Sequence, residues 1–547
     1  MYKIAYFSAE IGISSGLPTY SGGLGVLAGD HLKAAADAGI PICAVTLLYK
    51  EGYFKQRVDE EGQQSETYPR FDPDPVMKKV PVDITLPLSG RSVTIRAWQY
   101  THQGINGHAV PIYLLDTDVD ENQPEDRSIT LRLYSGDKNH RILQEAILGF
   151  GGIRLLEKLG YGDIETYHMN EGHCSFLTLE LLRKFQGNEA EVRRRCVFTT
   201  HTPVPVGHDH FAMERCKNLL DGLLPDDLKL PSLVQNSRLH MTELGLYFSR
   251  TANGVSRLHG SVAREQFPAF AIDHITNGVY HNYWIGKPFR ELYDDVLPGW
   301  RSDPGLLLNI GQVPDKEILT AHRSQKQFLL GYANSQTQKA LALDVLTIGF
   351  ARRTATYKRA NLIFSDLERL VNIGRGKIQI VFAGKAHPMD DQGKSILREI
   401  VGNANRLFGK VKVVFLENYN IWLGRLITSG VDVWLNTPVR PHEASGTSGM
   451  KATLNGIPNL SIMDGWWAEA CEDGVNGWAI GGNENSSDSQ DADYLYSVLE
   501  NKVIPAYYGD RSQWLQLMRA AISTGVQFTA NRMVAEYSTK LYRIPGK

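Results

Sequence analysis

Residues 441–464, PHEASGTSGMKATLNGIPNLSIMD, hold the side chains and backbone groups best suited to chemistry. Ser445, Gly446, Thr447, Ser448 and Gly449 leave their N–H groups with little steric cover. Where such a run opens a helix, the free N–H groups and the helix dipole attract anions. Lys451 follows the turn, and a lysine held by its neighbours can carry a Schiff base, as pyridoxal enzymes require. The plainer alternative is a Gly/Ser turn with a surface lysine. No P-loop is present, because GxxxxGK[ST] does not occur. A second segment, residues 349–359, reads GFARRTATYKR and sets Arg352, Arg353, Lys358 and Arg359 after an apolar run. Arginine grips phosphate bidentately and lysine as a point charge. A solvated helix face is the competing reading.

Three further segments carry weaker signals. In PTYSGGLGVLAGD, residues 18–30, Gly22, Gly23 and Gly25 permit close backbone approach before a helix, but the spacing is not GxGxxG and no dinucleotide site is expected. YHMNEGHCSF holds His168, Glu171 and His173, and FTTHTPVPVGHDH holds His201, His208 and His210. The order is not HExxH, so hydrogen-bonded histidines lining a cleft are favoured over zinc, and no metal is expected. Asn277 lies in ITNGVYHNYW, an Asn-Gly turn with aromatics that could hydrogen-bond and stack on a sugar.

Alternating strands and helices must position these groups. Short apolar runs at 4–7, 42–48, 196–199, 346–350, 378–382, 411–416 and 431–435 read as buried parallel strands. Helical patterns lie between them at 25–38, 140–159, 175–185 and 359–372. This alternation predicts doubly wound α/β sheets, whose ligands bind at the carboxyl ends of the strands. Residues 49–116 interrupt it with added antiparallel strands, and the Pro-rich stretch 285–315 reads as a connection between two large domains. Residues 483–491 read as an exposed, mobile loop.

The 547 residues are ample for a buried core. Lys and Arg number 58 against 60 Asp and Glu. That balance argues against a dedicated nucleic-acid binder. Five scattered Cys without CxxC argue against a disulfide framework, no run suits a signal peptide or membrane helix, and a cytoplasmic location is expected.

Together these segments resemble the glycogen (α-glucan) phosphorylase family. The most specific match is EASGTSGMK, residues 443–451, which is similar to that family's pyridoxal-phosphate loop. LNG (454–456), MDG (463–465), RRTATYKR, FLENYN, YSGGLG and NEGH follow the family's order. The resemblance implies that Lys451 carries pyridoxal 5′-phosphate and that Arg353 and Lys358 hold substrate phosphate. It puts Arg352 and Tyr419 beside the cofactor, with Thr447, Ser448 and Gly23 supplying N–H groups. Gly22, Gly23, Leu24, His173, His201, Asn277, Glu443, Ser445 and Gly446 would face the sugar or phosphate.

The implied fold is α/β, with two Rossmann-like doubly wound domains facing a cleft in the type-B glycosyltransferase architecture. The expected boundaries are 1–286, 287–520 and a returning C-terminal helix within 521–547. The implied activity is reversible phosphorolysis of α-1,4-glucan or maltooligosaccharide to glucose 1-phosphate, with the cofactor phosphate as acid–base group and a homodimer as a possible assembly. A sugar-nucleotide-dependent synthase shares the glycine loop, and a non-catalytic glucan-binding protein is the other alternative; the EASGTSGMK lysine and the cations favour phosphorylase. The chain is short for the family, so AMP-type N-terminal regulation is not expected. Ser448–Gly449 stands where many members have Gly-Asn, and Ala355 replaces a common histidine.

Overall fold

A computed structural model describes residues 2–225, 234–481 and 486–544. The chain divides into two compact units. One comprises Met1–Phe54, Tyr68–Thr276 and Met533–Lys547; the other comprises Lys55–Thr67 and Asn277–Arg532.

In the first unit, the strand Ile4–Ser8 is buried at every position, as expected of a strand covered on both faces. It pairs in parallel with Ile42–Leu47 on one side and Thr166–Asn170 on the other. The sheet continues through Ala109–Asp116 on the first side. On the second it continues through Cys196–Thr199, Thr251–Gly254 and Ile272–His274, all parallel. Arg91–Gln103 then adds antiparallel to Ala109–Asp116 and pairs with Ile84–Leu88. Successive strands therefore leave Ile4–Ser8 in opposite directions. The crevice outside the carboxyl ends of Ile4–Ser8 and Thr166–Asn170 is a topological switch point, where open α/β sheets bind ligands.

The second unit repeats the device with six parallel strands. Leu346–Ala351 pairs with Ile378–Ala383, which pairs with Lys412–Leu416. On its other side lie Val433–Asn436, Asn459–Ile462 and Gly477–Ile480. The switch point falls between Leu346–Ala351 and Val433–Asn436. The hairpin Lys55–Val58 and Gln64–Thr67 also belongs to this unit; the Gln56 amide donates to the Gly384 carbonyl at 2.8 Å.

The C-terminal helix Ala530–Tyr537 and the π-turn Ser538–Tyr542 carry two tyrosines into the first unit's core. Tyr542 Oη lies 2.8 Å from both His31 Nε2 and His168 Nδ1. Asn253 Nδ2 donates to Tyr537 Oη at 3.0 Å. His168 is thus a fully bonded core residue, and burial holds its imidazole well below the usual range.

Two local expectations need correction. Residues 359–372 are not one helix. Two 3-10 turns, Thr356–Lys358 and Leu362–Phe364, precede a helix at Leu367–Gly374. Arg359 adopts φ +46° and sends its guanidinium to the carbonyls of Thr437 and Pro438 and to Asp488 and Asp491. It is a structural cation and leaves the proposed phosphate cluster. The Pro-rich stretch 285–315 also carries a helix, Lys287–Val296, with Pro288 in its first turn, where proline is tolerated. The stretch 483–491 is not wholly loop: a Ser487–Gln490 capping box opens the helix Asp488–Val498, while residues 483–485 lie outside the described residues. Among the described residues no helix is long and apolar enough to cross a membrane.

Candidate functional site

The second unit's switch point gathers charge. Arg352 follows the strand Leu346–Ala351, and Asn436 ends Val433–Asn436. One Arg352 nitrogen donates to Asn436 Oδ1 and another to Glu443 Oε2. Lys358 Nζ lies 2.8 and 2.7 Å from the two Glu443 oxygens. Glu443 is 6% exposed and Lys358 8%. Burial alone would raise the Glu443 carboxyl, but the two cations outweigh it and hold the group at about 2. Two cations against one carboxylate leave a net positive pocket suited to an added anion. Arg353 is exposed beside them. Tyr357 is half-buried, and desolvation favours its neutral form, yet the charges of Lys358 and Arg353 draw its hydroxyl below the ordinary value.

Asp464 supports this arrangement from behind. Its Oδ2 accepts the Glu443 N–H at 2.9 Å and its Oδ1 the Gly465 N–H at 2.8 Å. Burial, with the Glu443 charge adding to it, pushes the Asp464 carboxyl up to about 7 despite those two hydrogen bonds.

Lys451 sits on the helix Thr447–Thr453, whose N-cap Gly446 has φ +84°, a conformation suited to glycine. Its Nζ lies 3.9 Å from the centre of the Trp284 ring, within cation–π range. The loop is tightly built. A Cβ on Gly449 would meet Asn459 Oδ1 at 2.3 Å, and one on Gly465 would meet the Ser445 carbonyl at 2.4 Å. Ser448 Oγ accepts from Trp434 Nε1 at 3.2 Å. Tyr419 is half-buried, and loss of solvent around it moves its hydroxyl up to about 12, with the Arg352 charge pulling the other way. Ser445 Oγ and Arg352 Nε are buried without a hydrogen-bond partner among the described residues. A buried amine, a guanidinium, an unsatisfied hydroxyl and the N–H groups of Thr447 and Ser448 fit a phosphorylated carbonyl compound.

The first unit's switch point is organised by Glu10, just past the strand Ile4–Ser8. Glu10 Oε2 accepts the N–H of Ser21 at 2.6 Å and of Gly22 at 3.2 Å, and Oε1 accepts from Tyr134 Oη at 2.9 Å. The carboxylate thereby holds the turn entering the helix Gly23–Asp37. A Cβ on Gly25 would come within 2.7 Å of Glu10 Oε2, whereas at Gly22 and Gly23 it would meet nothing within 4 Å. Protein packing therefore demands glycine only at position 25, and the open side of 22 and 23 leaves room for a ligand. Leu24 follows, half-buried.

Across the same crevice, Glu171 has φ +77°. Its Oε2 accepts the His201 N–H at 2.7 Å and Thr202 Oγ1 at 3.0 Å. Burial lowers the His201 imidazole to about 4, with Glu171 opposing that trend. His173 Nε2 stands 3.5 Å from Asp209 Oδ2, which pairs with Arg141 at 2.6 Å. His208 bonds Thr242, and His210 stacks on His240. No His, Cys, Asp and Glu group suited to a metal occurs among the described residues. Asn277 groups with the second unit; its carbonyl accepts from Arg532, and its side-chain oxygen is buried without a partner among the described residues.

A family model described as carbohydrate phosphorylase matches residues 208–486. The maltodextrin phosphorylase of Thermococcus litoralis is 41% identical over 98% of this chain and 70% of its own length. The chain belongs to the carbohydrate phosphorylase family. The glycogen phosphorylase of Mycobacterium tuberculosis is 38% identical over 98% of this chain and 70% of its own. That of Aquifex aeolicus is 36% identical over 98% and 86%.

In this phosphorylase-family chain, the second unit brings together Arg352, Lys358 and Glu443, with Arg352 also acting electrostatically on Tyr419. The first brings together Gly22, Gly23, Leu24, His173 and His201 around one crevice. Sequence reasoning missed Glu10, Tyr134 and Asn436, and gave no role to Asn170 and Asp464 although they lie in the NEGH and MDG motifs. The available signal was positional: Glu10, Asn170 and Asn436 all lie at the carboxyl ends of switch-point strands, where a polar residue has a ligand to meet.

Proposed function

We propose that this chain catalyses reversible phosphorolysis of an α-1,4-glucan, forming glucose 1-phosphate and a shortened glucan, with pyridoxal 5′-phosphate bound through Lys451. The observation that carries the reading is the Arg352–Glu443–Lys358 cluster at the same switch point as the buried Lys451 loop, in a member of this family. When bound, the cofactor would supply a phosphate that exchanges a proton with substrate phosphate. Arg352, Tyr419, Ser445 and the N–H groups at Thr447 and Ser448 would hold it.

The remaining work falls to this chain's own groups. Two phosphate charges 4 Å apart repel by about 4 kcal/mol at an effective dielectric of 20. Arg352, Arg353 and Lys358 offset that repulsion and keep substrate phosphate where its charge stabilises the oxocarbenium-like sugar. Glu443 accepts hydrogen bonds from sugar hydroxyls. Gly22, Gly23, Leu24, His173, His201 and Asn277 orient the sugar. No second catalytic carboxylate is required, in contrast to a glycosidase.

The reading includes the type-B glycosyltransferase architecture, with domains at 1–286 and 287–520, a returning helix within 521–547, a cytoplasmic location and a homodimer. Phosphate-dependent release of glucose 1-phosphate from maltodextrin tests the function. Lys451→Ala should abolish both that release and the pyridoxal trapped by borohydride. Undiminished activity in this variant would overturn the cofactor assignment. Arg353→Ala should lower kcat for phosphate use by about 10²–10³-fold.

A further inference from the structure

One run of hydrogen bonds at the first switch point has a direction that can be counted proton by proton. Ser8 ends the strand Ile4–Ser8 and is fully buried; its Oγ lies 2.7 Å from the Glu10 carbonyl oxygen. A carbonyl oxygen only accepts, so the single hydroxyl proton of Ser8 is committed there. Asn170 ends the neighbouring strand, and one of its side-chain atoms lies 3.0 Å from Ser8 Oγ. With the Ser8 proton spent, that atom must be the donor, the amide nitrogen. The amide oxygen then faces the other way, 2.6 Å from His201 Nε2. It too can only accept, so Nε2 carries the ring proton.

We propose that Ser8 and Asn170 are positioning residues that hold His201 as its Nε2–H tautomer, offering Nδ1 as an acceptor to a hydroxyl of the transferred sugar. The sugar as donor rests on the phosphorylase reading; the tautomer does not. The ring must be neutral for this to hold, and burial favours that form. Glu171 complements the relay, because it fixes the His201 main chain while Asn170 fixes the ring. Two consecutive residues at one strand end thus set both the place and the protonation of one histidine. The reverse tautomer would point a donor at the sugar and leave the Asn170 oxygen facing a lone pair.

The test is the nitrogen NMR spectrum of the full chain carrying ¹⁵N-histidine, loaded with cofactor, with the His201 signals assigned by their loss in His201→Asn. The expected wild-type pattern is a protonated Nε2 and an unprotonated Nδ1. In Ser8→Ala the Asn170 amide is free to turn, so the tautomers should mix and kcat/KM for glucose 1-phosphate should fall about three- to tenfold, the worth of one neutral hydrogen bond. Asn170→Ala should behave alike. His201→Asn, whose amide reaches the Nδ1 position, should retain more activity than His201→Gln, whose amide reaches Nε2. A protonated Nδ1 in the wild type, or an unchanged tautomer in both Ser8→Ala and Asn170→Ala, overturns the proposal. The wild-type spectrum needs no turnover, and a variant only for assignment. An intact Nε2–H tautomer with no glucose 1-phosphate formed would refute the phosphorylase reading and leave the relay standing.

Discussion

Replacing Glu443 by Gln removes one negative charge from between a buried lysine and a mostly buried arginine. The carboxyl sits at about 2 in the folded chain against an ordinary 4.5, a difference worth about 3 kcal/mol. Its folded value is depressed, so this stabilisation is present above about pH 4.5 and disappears as pH falls towards 2. Breaking a buried ion pair from one side costs about 3–5 kcal/mol, which agrees. At pH 7 and in a buffer free of phosphate and sulfate, Glu443→Gln should therefore unfold in urea with about 3 kcal/mol less stability. The uncompensated Arg352 and Lys358 should then bind anions more tightly. Phosphate at 100 times its dissociation constant stabilises by about 2.7 kcal/mol, enough to restore most of the loss. Wild type should gain less at the same phosphate concentration, because Glu443 competes for the same cations. A loss below about 0.5 kcal/mol, the scale of an exposed pair, would refute the reasoning. So would an equal response of the two proteins to phosphate.

Gly23→Ala should leave the melting temperature unchanged, because its Cβ meets nothing within 4 Å, yet should reduce phosphorolysis if a ligand lies against that backbone. Gly25→Ala should lose both, at a cost of about 1–3 kcal/mol, because its Cβ strikes Glu10 and Tyr20; calorimetry with an activity assay separates the two cases. Asp464 has a folded carboxyl raised to about 7 from 3.8, so its contribution is fully present below about pH 4 and is lost as pH rises through 7. Asp464→Asn should flatten the fall in stability between pH 5 and 7 by up to about 1.4 kcal/mol per pH unit, measured by denaturant titration at each pH. Asp432 accepts from Lys326 at 2.5 Å, His322 at 2.9 Å and the Thr347 N–H at 2.7 Å, all buried. Asp432→Asn should cost about 3–5 kcal/mol in denaturant unfolding without changing KM.

Both parallel sheets were legible because strands buried on both faces leave continuous apolar runs, as in Ile378–Ala383. The helix expected over 359–372 failed because its decisive partners are remote. Arg359 is drawn into a left-handed conformation by Asp488 and Asp491, some 130 residues along the chain. The same distance problem concealed the pairing of Glu443 with Lys358. Residue types and motif order pointed to each of them, but not to their placement 2.7 Å apart.

The residues most completely missed share a cause. Ser8, Glu10 and Asn170 are polar groups at strand ends, and spacing along the chain does not say which crevice they face. Once Ile4–Ser8 is placed beside Thr166–Asn170, their roles follow from hydrogen-bond capacity alone. The Glu10 carboxylate takes the N–H groups of Ser21 and Gly22, while its carbonyl takes the Ser8 proton and so orders Asn170 and His201. One strand end therefore sets both the glycine loop and the histidine. A displacement of that end should disturb the two together, whereas Ser8→Ala, which removes only the hydroxyl, should alter the histidine and spare the loop.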